Sequence, residues 1–154
     1  IIEHCHCGIA EASIDEIATY NIIGASYLAM ERAFRTCHQS LKLSDDSPII
    51  ALIDGKAPPS SFPCEYEMVI KGDNISSSIA AASILAKVSR DRLMKEYAEN
   101  YPQYGWENNS GYPTKEHLDA IDVHGITEFH RPSYGPVQNF LQYGQTRRQL
   151  ALGV

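Results

Sequence analysis

Two acids stand where a folded chain would hold them still. Asp73 belongs to the turn Lys71-Gly72-Asp73, just ahead of the stretch from Ser78 to Asp91, whose first turns are almost wholly small or apolar. Asp54 ends the uninterrupted apolar run Pro48-Ile49-Ile50-Ala51-Leu52-Ile53 and is followed by Gly55. Carboxylates at the tips of neighbouring buried elements suit a hard divalent cation such as Mg²⁺ or Mn²⁺, which takes oxygen ligands and keeps positions open for water and phosphate. A pair of such ions about 4 Å apart can activate a water and stabilise the leaving oxygen of a phosphodiester. Each acid also has a plainer reading: Asp54 can open a turn with Gly55, and Asp73 can cap a helix. Their joint placement favours the cation site.

Other groups of reactive residues carry less. His4-Cys5-His6-Cys7 invites a zinc reading, but in a strand alternate side chains point to opposite faces, so at most two would reach one ion, and no second pair follows at finger spacing. The four cysteines Cys5, Cys7, Cys37 and Cys64 are too few and too irregular for a disulfide framework, which points to reduced thiols in a reducing compartment. Asp15-Glu16 follows Ser13 in a capping-box pattern, where acids serve the helix dipole, and Asp45-Asp46 reads as a solvated loop.

The elements that must position Asp54 and Asp73 follow from periodicity. With 154 residues and 44% apolar content the chain fits one domain with a real core. We expect residues 1–140 to form that domain and 141–154 a tail or helix end. Residues 1–10 read as a strand, Ser13 opens a helix, and Asn21 can cap the next one. Ile23, Tyr27, Met30, Phe34, Cys37 and Leu41 recur at spacings of four and three, the stripe of a helix packed on a core. Residues 44–48 form a loop, the run to Ile53 is a strand covered on both faces, and Pro58, Pro59 and Pro63 make another loop. Tyr66 to Lys71 is a third strand, followed by a buried helix from about Ser77 to Tyr97 and an irregular stretch marked by Pro102, Gly105 and Gly111. Thr114 can cap a helix running through Val123, with Gly125 past its end, and Pro136 suits the first turn of a last helix. Strands interleaved with helices define an α/β layered domain.

The net charge of −6 argues against simple coating of nucleic acid, which needs a basic surface, but not against an enzyme that meets phosphates through metal ions. No apolar run approaches the roughly 18 to 20 residues that span a bilayer, so a soluble, cytoplasmic protein is expected. The chain opens on Ile1 in what reads as mid-strand, which suggests a fragment lacking N-terminal strands.

Five segments together resemble ribonuclease HII, the type 2 ribonuclease H. They are Ile53-Asp54-Gly55-Lys56; Lys71-Gly72-Asp73; the Ser78 to Asp91 helix; Gly111-Tyr112-Pro113-Thr114-Lys115-Glu116-His117; and His130-Arg131-Pro132-Ser133-Tyr134-Gly135-Pro136-Val137. They stand in the family's order and at similar spacing. The resemblance implies a ribonuclease H-like mixed sheet flanked by helices. It also implies Mg²⁺- or Mn²⁺-dependent cleavage of RNA in RNA·DNA hybrids, and at single ribonucleotides embedded in duplex DNA, leaving a 3′-hydroxyl and a 5′-phosphate. Asp54 and Asp73 match two of the family's four metal-binding acids. The other two, an Asp-Glu pair on a first strand followed by Gly-Arg-Gly, have no match here, so the chain is expected to hold metal poorly by itself. Tyr112 matches the tyrosine that stacks on the sugar beside the ribonucleotide. Lys71, Lys87, Arg90, Lys115 and Arg131 are the basic residues of the matched segments and candidates for phosphate contact. His117 and His130 could move protons but more readily serve packing. Ser110 and Pro132 replace residues that are commonly basic, which removes positive charge from the substrate side. The complete protein is expected to be a monomer without membrane contact. The competing readings are a catalytically incomplete fragment that binds or scaffolds hybrid duplex, and a zinc-stabilised module built on Cys5 and Cys7.

Overall fold

A computed structural model describes residues 1–41 and 47–147. The chain is α/β, mostly helical, and its elements are α1 (Ile14–Leu41), β1 (Ile50–Asp54), β2 (Glu65–Val69), α2 (Ser77–Asn100), α3 (Trp106–Asn109), α4 (Lys115–His124) and α5 (Gly135–Tyr143). Two compact units divide within α2, the first Ile1–Ser89 and the second Arg90–Val154.

In the first unit α1 opens on the expected capping box. Ser13 Oγ accepts from the Glu16 N–H at 3.2 Å, and Glu16 Oε2 accepts from the Ser13 N–H at 2.8 Å. Arg32 pairs with the same carboxylate, and this bond holds Glu16 down at a pKa of about 2. Asn21 then breaks the helix: its backbone leaves helical geometry at φ 58°, and its Oδ1 accepts from the N–H groups of Ile23 and Gly24 at 2.9 and 3.2 Å. The Asn21 side chain caps at once, so one residue both ends the first segment and starts the second.

β1 and β2 pair in parallel, with Ile50 opposite Glu65 and Asp54 opposite Val69. Several expectations need correction. Residues 1–10 are not a strand: they turn at residues 2–4 and continue without regular structure. They lie along α1, with Cys37 Sγ donating to the His6 carbonyl and His6 Nδ1 3.0 Å from Ser40 Oγ. One side chain of α1 thus takes up a backbone carbonyl of this segment and another meets the His6 ring, and the alternation used against a zinc cluster does not apply. The apolar stripe of α1 is only partly covered. Phe34 packs on Phe62, which reaches Tyr66, whereas Ile23 is 57% exposed and the one fully buried residue of α1 is Ala25. Finally, the start of α2 is not a buried helix. Ile79 is buried, but Ile84 and Val88 are 53% and 41% exposed. A sheet with two described strands offers too little surface to cover the helix, and on β1 the face carrying Ile50 and Leu52 is likewise open.

The strand expected over Tyr66 to Lys71 runs over Glu65–Val69 instead. Asp45 and Asp46 fall outside the described residues, as does the tail beyond Arg147.

The second unit is built on rings. Tyr104 and Trp106, each 2% exposed, stack with centroids 5.1 Å apart and pack against Met94, Ala98 and Ile121. Thr114 caps α4 by accepting from the His117 N–H, the Gly125 N–H returns to the Ile121 carbonyl, and Pro136 lies in the first turn of α5, all as the residue types predict.

Candidate functional site

Asp54 ends β1 on the open face of the sheet. The Gly55 N–H donates to the Val69 carbonyl at 3.1 Å, so the strands stay in register up to the acid itself. After β2 the chain turns sharply through Lys71, whose φ is 56°, into a 3₁₀ turn over Gly72–Asn74. The Lys71 carbonyl accepts from Asn74 at 3.1 Å, and the Gly72 carbonyl accepts from Ile75 and Ser76 at 3.0 and 2.8 Å.

That turn places the backbone next to Asp73 against the other predicted acid. Asp54 Oδ1 accepts from the Gly72 N–H at 2.9 Å, so the carboxylate is bonded to the peptide unit whose neighbour is Asp73, about 3.8 Å further along the Cα trace. Asp73 is exposed, and its Oδ1 accepts from Asn74 Nδ2 at 3.2 Å. It does not cap α2. Ser76 has that place, with its carbonyl taking the Ala80 N–H at 2.9 Å and its hydroxyl 3.5 Å from the Ile79 nitrogen.

Gly72 is buried because nothing larger fits. A Cβ there would lie 2.5 Å from Ile79 Cδ1 and 3.3 Å from Val69 Cβ. Ile79, itself 6% exposed, is the floor of the turn. The donor chemistry, two carboxylates, fits a hard divalent cation. Among the described residues no group of three or more His, Cys, Asp or Glu side chains converges as a metal site.

Of the basic candidates in the first unit, Lys71 adjoins Asp73 and is exposed, and Lys87 is exposed on α2. In the second unit Tyr112 is 66% exposed at the tip of a turn in which its N–H donates to the Asn109 carbonyl and its carbonyl accepts from Thr114, both at 2.8 Å. Lys115 begins α4 and is exposed; Arg90, also exposed, lies near Gly111, its Nη2 2.9 Å from where a Cβ would stand. Arg131 stacks its guanidinium 5.4 Å from the Tyr134 ring centre.

His117 and His130 are buried packing residues, stacked with centroids 5.3 Å apart at 14°. His117 Nδ1 meets the Tyr104 carbonyl at 3.1 Å; a carbonyl only accepts, so this nitrogen carries the proton. His130 Nδ1 accepts from the Thr127 N–H at 3.0 Å, which puts the proton of neutral His130 on Nε2, a buried atom with no hydrogen-bond partner among the described residues. Burial pushes the pKa of His117 down, and burial together with the neighbouring His117 brings His130 to about 4. Both rings are therefore neutral at pH 7.

Sequence reasoning passed over Asn109 and the Tyr104–Trp106 pair. The signal was there in the aromatic spacing of Tyr97, Tyr101, Tyr104 and Trp106, but the prolines and glycines around them read as loop.

The structure is that of an α/β protein whose parallel strand pair ends in one acid, hydrogen-bonded to a turn that bears a second. The family model described as Ribonuclease HII matches residues 6–137. The chain is 49% identical to the ribonuclease HII of Marinomonas sp. (strain MWYL1) over 135 residues, 88% of this chain and 64% of that protein. It is 47% identical to that of Magnetococcus marinus, over 88% of this chain and 62% of the relative. With the ribonuclease HII of Ruegeria pomeroyi it shares 50% identity, over 86% of this chain and 54% of the relative. The chain belongs to the ribonuclease HII family, and its fold is ribonuclease H-like. It spans just over half to two thirds of the length of these relatives.

Proposed function

We propose that this chain is the part of a ribonuclease HII endonuclease that holds two of its metal-binding acids, Asp54 and Asp73, together with much of its substrate surface. The proposed reaction is hydrolysis of the RNA strand of RNA·DNA hybrids, and cleavage at ribonucleotides embedded in duplex DNA, leaving a 3′-hydroxyl and a 5′-phosphate. The observation that carries the reading is the Asp54 Oδ1 bond to the Gly72 N–H at 2.9 Å, which ties both acids to one rigid turn. That bond orients the Asp54 carboxylate and leaves Oδ2 for a ligand, and Asp73 presents its carboxylate from the same turn. Mg²⁺ or Mn²⁺, when bound, supplies an activated water and stabilises the leaving oxygen.

The remaining roles fall to this chain's own side chains. Lys71, Lys87, Arg90, Lys115 and Arg131 contact phosphates, with Lys71 foremost because it adjoins Asp73. Tyr112 presents a flat ring on which a sugar can stack, and a ring there disfavours a 2′-hydroxyl at the neighbouring position. The whole enzyme would act as a cytoplasmic monomer in DNA replication and repair, with residues 1–140 forming part of one catalytic domain. The lack of a third converging ligand among the described residues favours a second reading for the isolated chain: it binds hybrid duplex without cutting it.

Two measurements test these readings. The 154-residue chain, alone and extended by the family's first-strand Asp-Glu/Gly-Arg-Gly segment, is assayed on a duplex with one ribonucleotide; cleavage is expected only from the extended chain. Asp73→Asn in the extended chain is expected to abolish cutting, and full activity in that variant refutes the assignment.

A further inference from the structure

We propose that Asn109 is a positioning residue for Tyr112; the inference rests on the reading above that Tyr112 meets the substrate. The turn at Tyr112 is unusual in its backbone. Ser110 and Gly111 both lie in the left-handed region, at φ 48° and 77°, and a serine there costs on the order of 1 kcal/mol. Such a turn persists only if its surroundings over-determine it, and Asn109 makes the bonds that do so. Its Oδ1 accepts from the Gly111 N–H at 2.8 Å, its carbonyl accepts from the Tyr112 N–H at 2.8 Å, and its Nδ2 donates to the Tyr104 carbonyl at 2.8 Å.

The last bond gives the turn its anchor. Tyr104 is 2% exposed at the centre of the aromatic core, and its carbonyl also receives His117 Nδ1. Asn109 therefore couples a ring that is 66% exposed to the buried aromatic core of the second unit through one side chain. From below, the turn meets Met94 and Arg90: a Cβ on Gly111 would come within 3.0 Å of Met94 Cε and 2.9 Å of Arg90 Nη2. Held on both sides, Tyr112 has little freedom to lose when a nucleotide stacks on it. A preorganised ring binds more tightly than the same ring on a loose loop, because the ordering cost is met during folding.

The test is a double-mutant cycle on the 154-residue chain, read by the anisotropy of a fluorescein-labelled DNA duplex with one ribonucleotide in buffer without divalent cations. Tyr112→Ala is expected to weaken binding about tenfold, within the range for loss of one base-stacking ring. Asn109→Ala is expected to weaken it several-fold, and to add less than twofold when Tyr112 is already alanine, because the asparagine acts only through that ring. Asn109→Asp, which keeps the acceptor for Gly111 but sets a carboxylate oxygen against the Tyr104 carbonyl, is expected to weaken binding at least as much as Asn109→Ala. It also provides the comparison should the alanine variant fail to fold, and Trp106 fluorescence reports folding in each case. If both Asn109 variants bind within twofold of wild type while Tyr112→Ala binds weakly, the positioning role is wrong. It is equally overturned if the full Asn109→Ala loss remains in the Tyr112→Ala background. No effect of Tyr112→Ala itself removes the substrate role of the ring, and the inference with it.

Discussion

Gly72→Ala probes the joint between the two acids with a single methyl group. The new Cβ would stand 2.5 Å from Ile79 Cδ1 and 3.3 Å from both Ile79 Cγ2 and Val69 Cβ, where carbon atoms prefer about 3.5 to 4.0 Å. Turning the Cδ1 methyl aside relieves the first clash but not the other two, which involve atoms fixed close to the backbone. The turn must therefore back away by a sizeable fraction of an ångström, up to about 1 Å if Ile79 keeps its rotamer. A shift of that size along the bond would lengthen the 2.9 Å contact from the Gly72 N–H to Asp54 Oδ1 to nearly 4 Å, beyond hydrogen bonding. Overpacking of this kind costs about 1 to 3 kcal/mol of stability. Misplacing a reacting group by about 1 Å costs on the order of a hundredfold in rate. The backbone at Gly72 is not in the left-handed region, so the effect is one of packing alone and space can restore it: Ile79→Ala in the Gly72→Ala background is expected to recover part of the loss. The assay is kcat of the extended chain on a one-ribonucleotide duplex, with the amide resonance of residue 73 in the 154-residue chain as a structural readout. Wild-type kcat together with an unmoved resonance refutes the claim that this turn positions the acids.

Two further outcomes are expected. His130 has its folded pKa pushed down to about 4 from an ordinary 6.5, so between these values the unfolded chain binds the proton and the folded one does not; stability is fully present above about pH 6.5 and declines as pH falls toward 4, by on the order of 3 kcal/mol. Trp106, the sole tryptophan, lies 5.4 Å from the His130 ring and reports the transition in urea melts at several pH values; His130→Asn should flatten the slope, and an unchanged slope refutes the assignment. Asn21→Ala removes the acceptor for two helix N–H groups and leaves alanine at φ 58°, so thermal melts are expected to show a loss of about 1 to 2 kcal/mol, while Asn21→Gly, free of the backbone strain, should lose less.

What could be read along the chain was whatever depends on neighbours in sequence. Caps at Ser13, Asn21 and Thr114 are local chemistry, in which a side chain bonds a backbone group two to four residues away, and each formed as the residue types required. The pairing of Asp54 with the Asp73 turn was legible for a related reason: a parallel strand pair with an acid at the end of one strand and a tight turn after the other places the two tips side by side. Burial was harder to read, because it depends on how much partner surface the fold supplies. Ile84 and Val88 were expected inside and lie open, since periodicity marks a face that can be buried and says nothing of what covers it. The same limit hid the second unit's core, where Tyr104 and Trp106 are buried to 2% within a stretch whose prolines and glycines signal loop.

Loop backbone and buried core are not alternatives there, and that bears on how Tyr112 works. The 3₁₀ turn at Pro102–Tyr104 and the single helical turn of α3 let Tyr104 and Trp106 stack within three residues, which a regular helix does not allow, because side chains two apart on a helix do not face each other. The irregular backbone is thus what makes the core, and the core in turn fixes the Tyr104 carbonyl to which Asn109 is tied. The stacking proposed for Tyr112 asks for a ring that is exposed and held in place at once. The second unit meets that demand by anchoring the exposed turn to a buried carbonyl, so stability in the Tyr104–Trp106 core and affinity at Tyr112 should move together when the core is mutated.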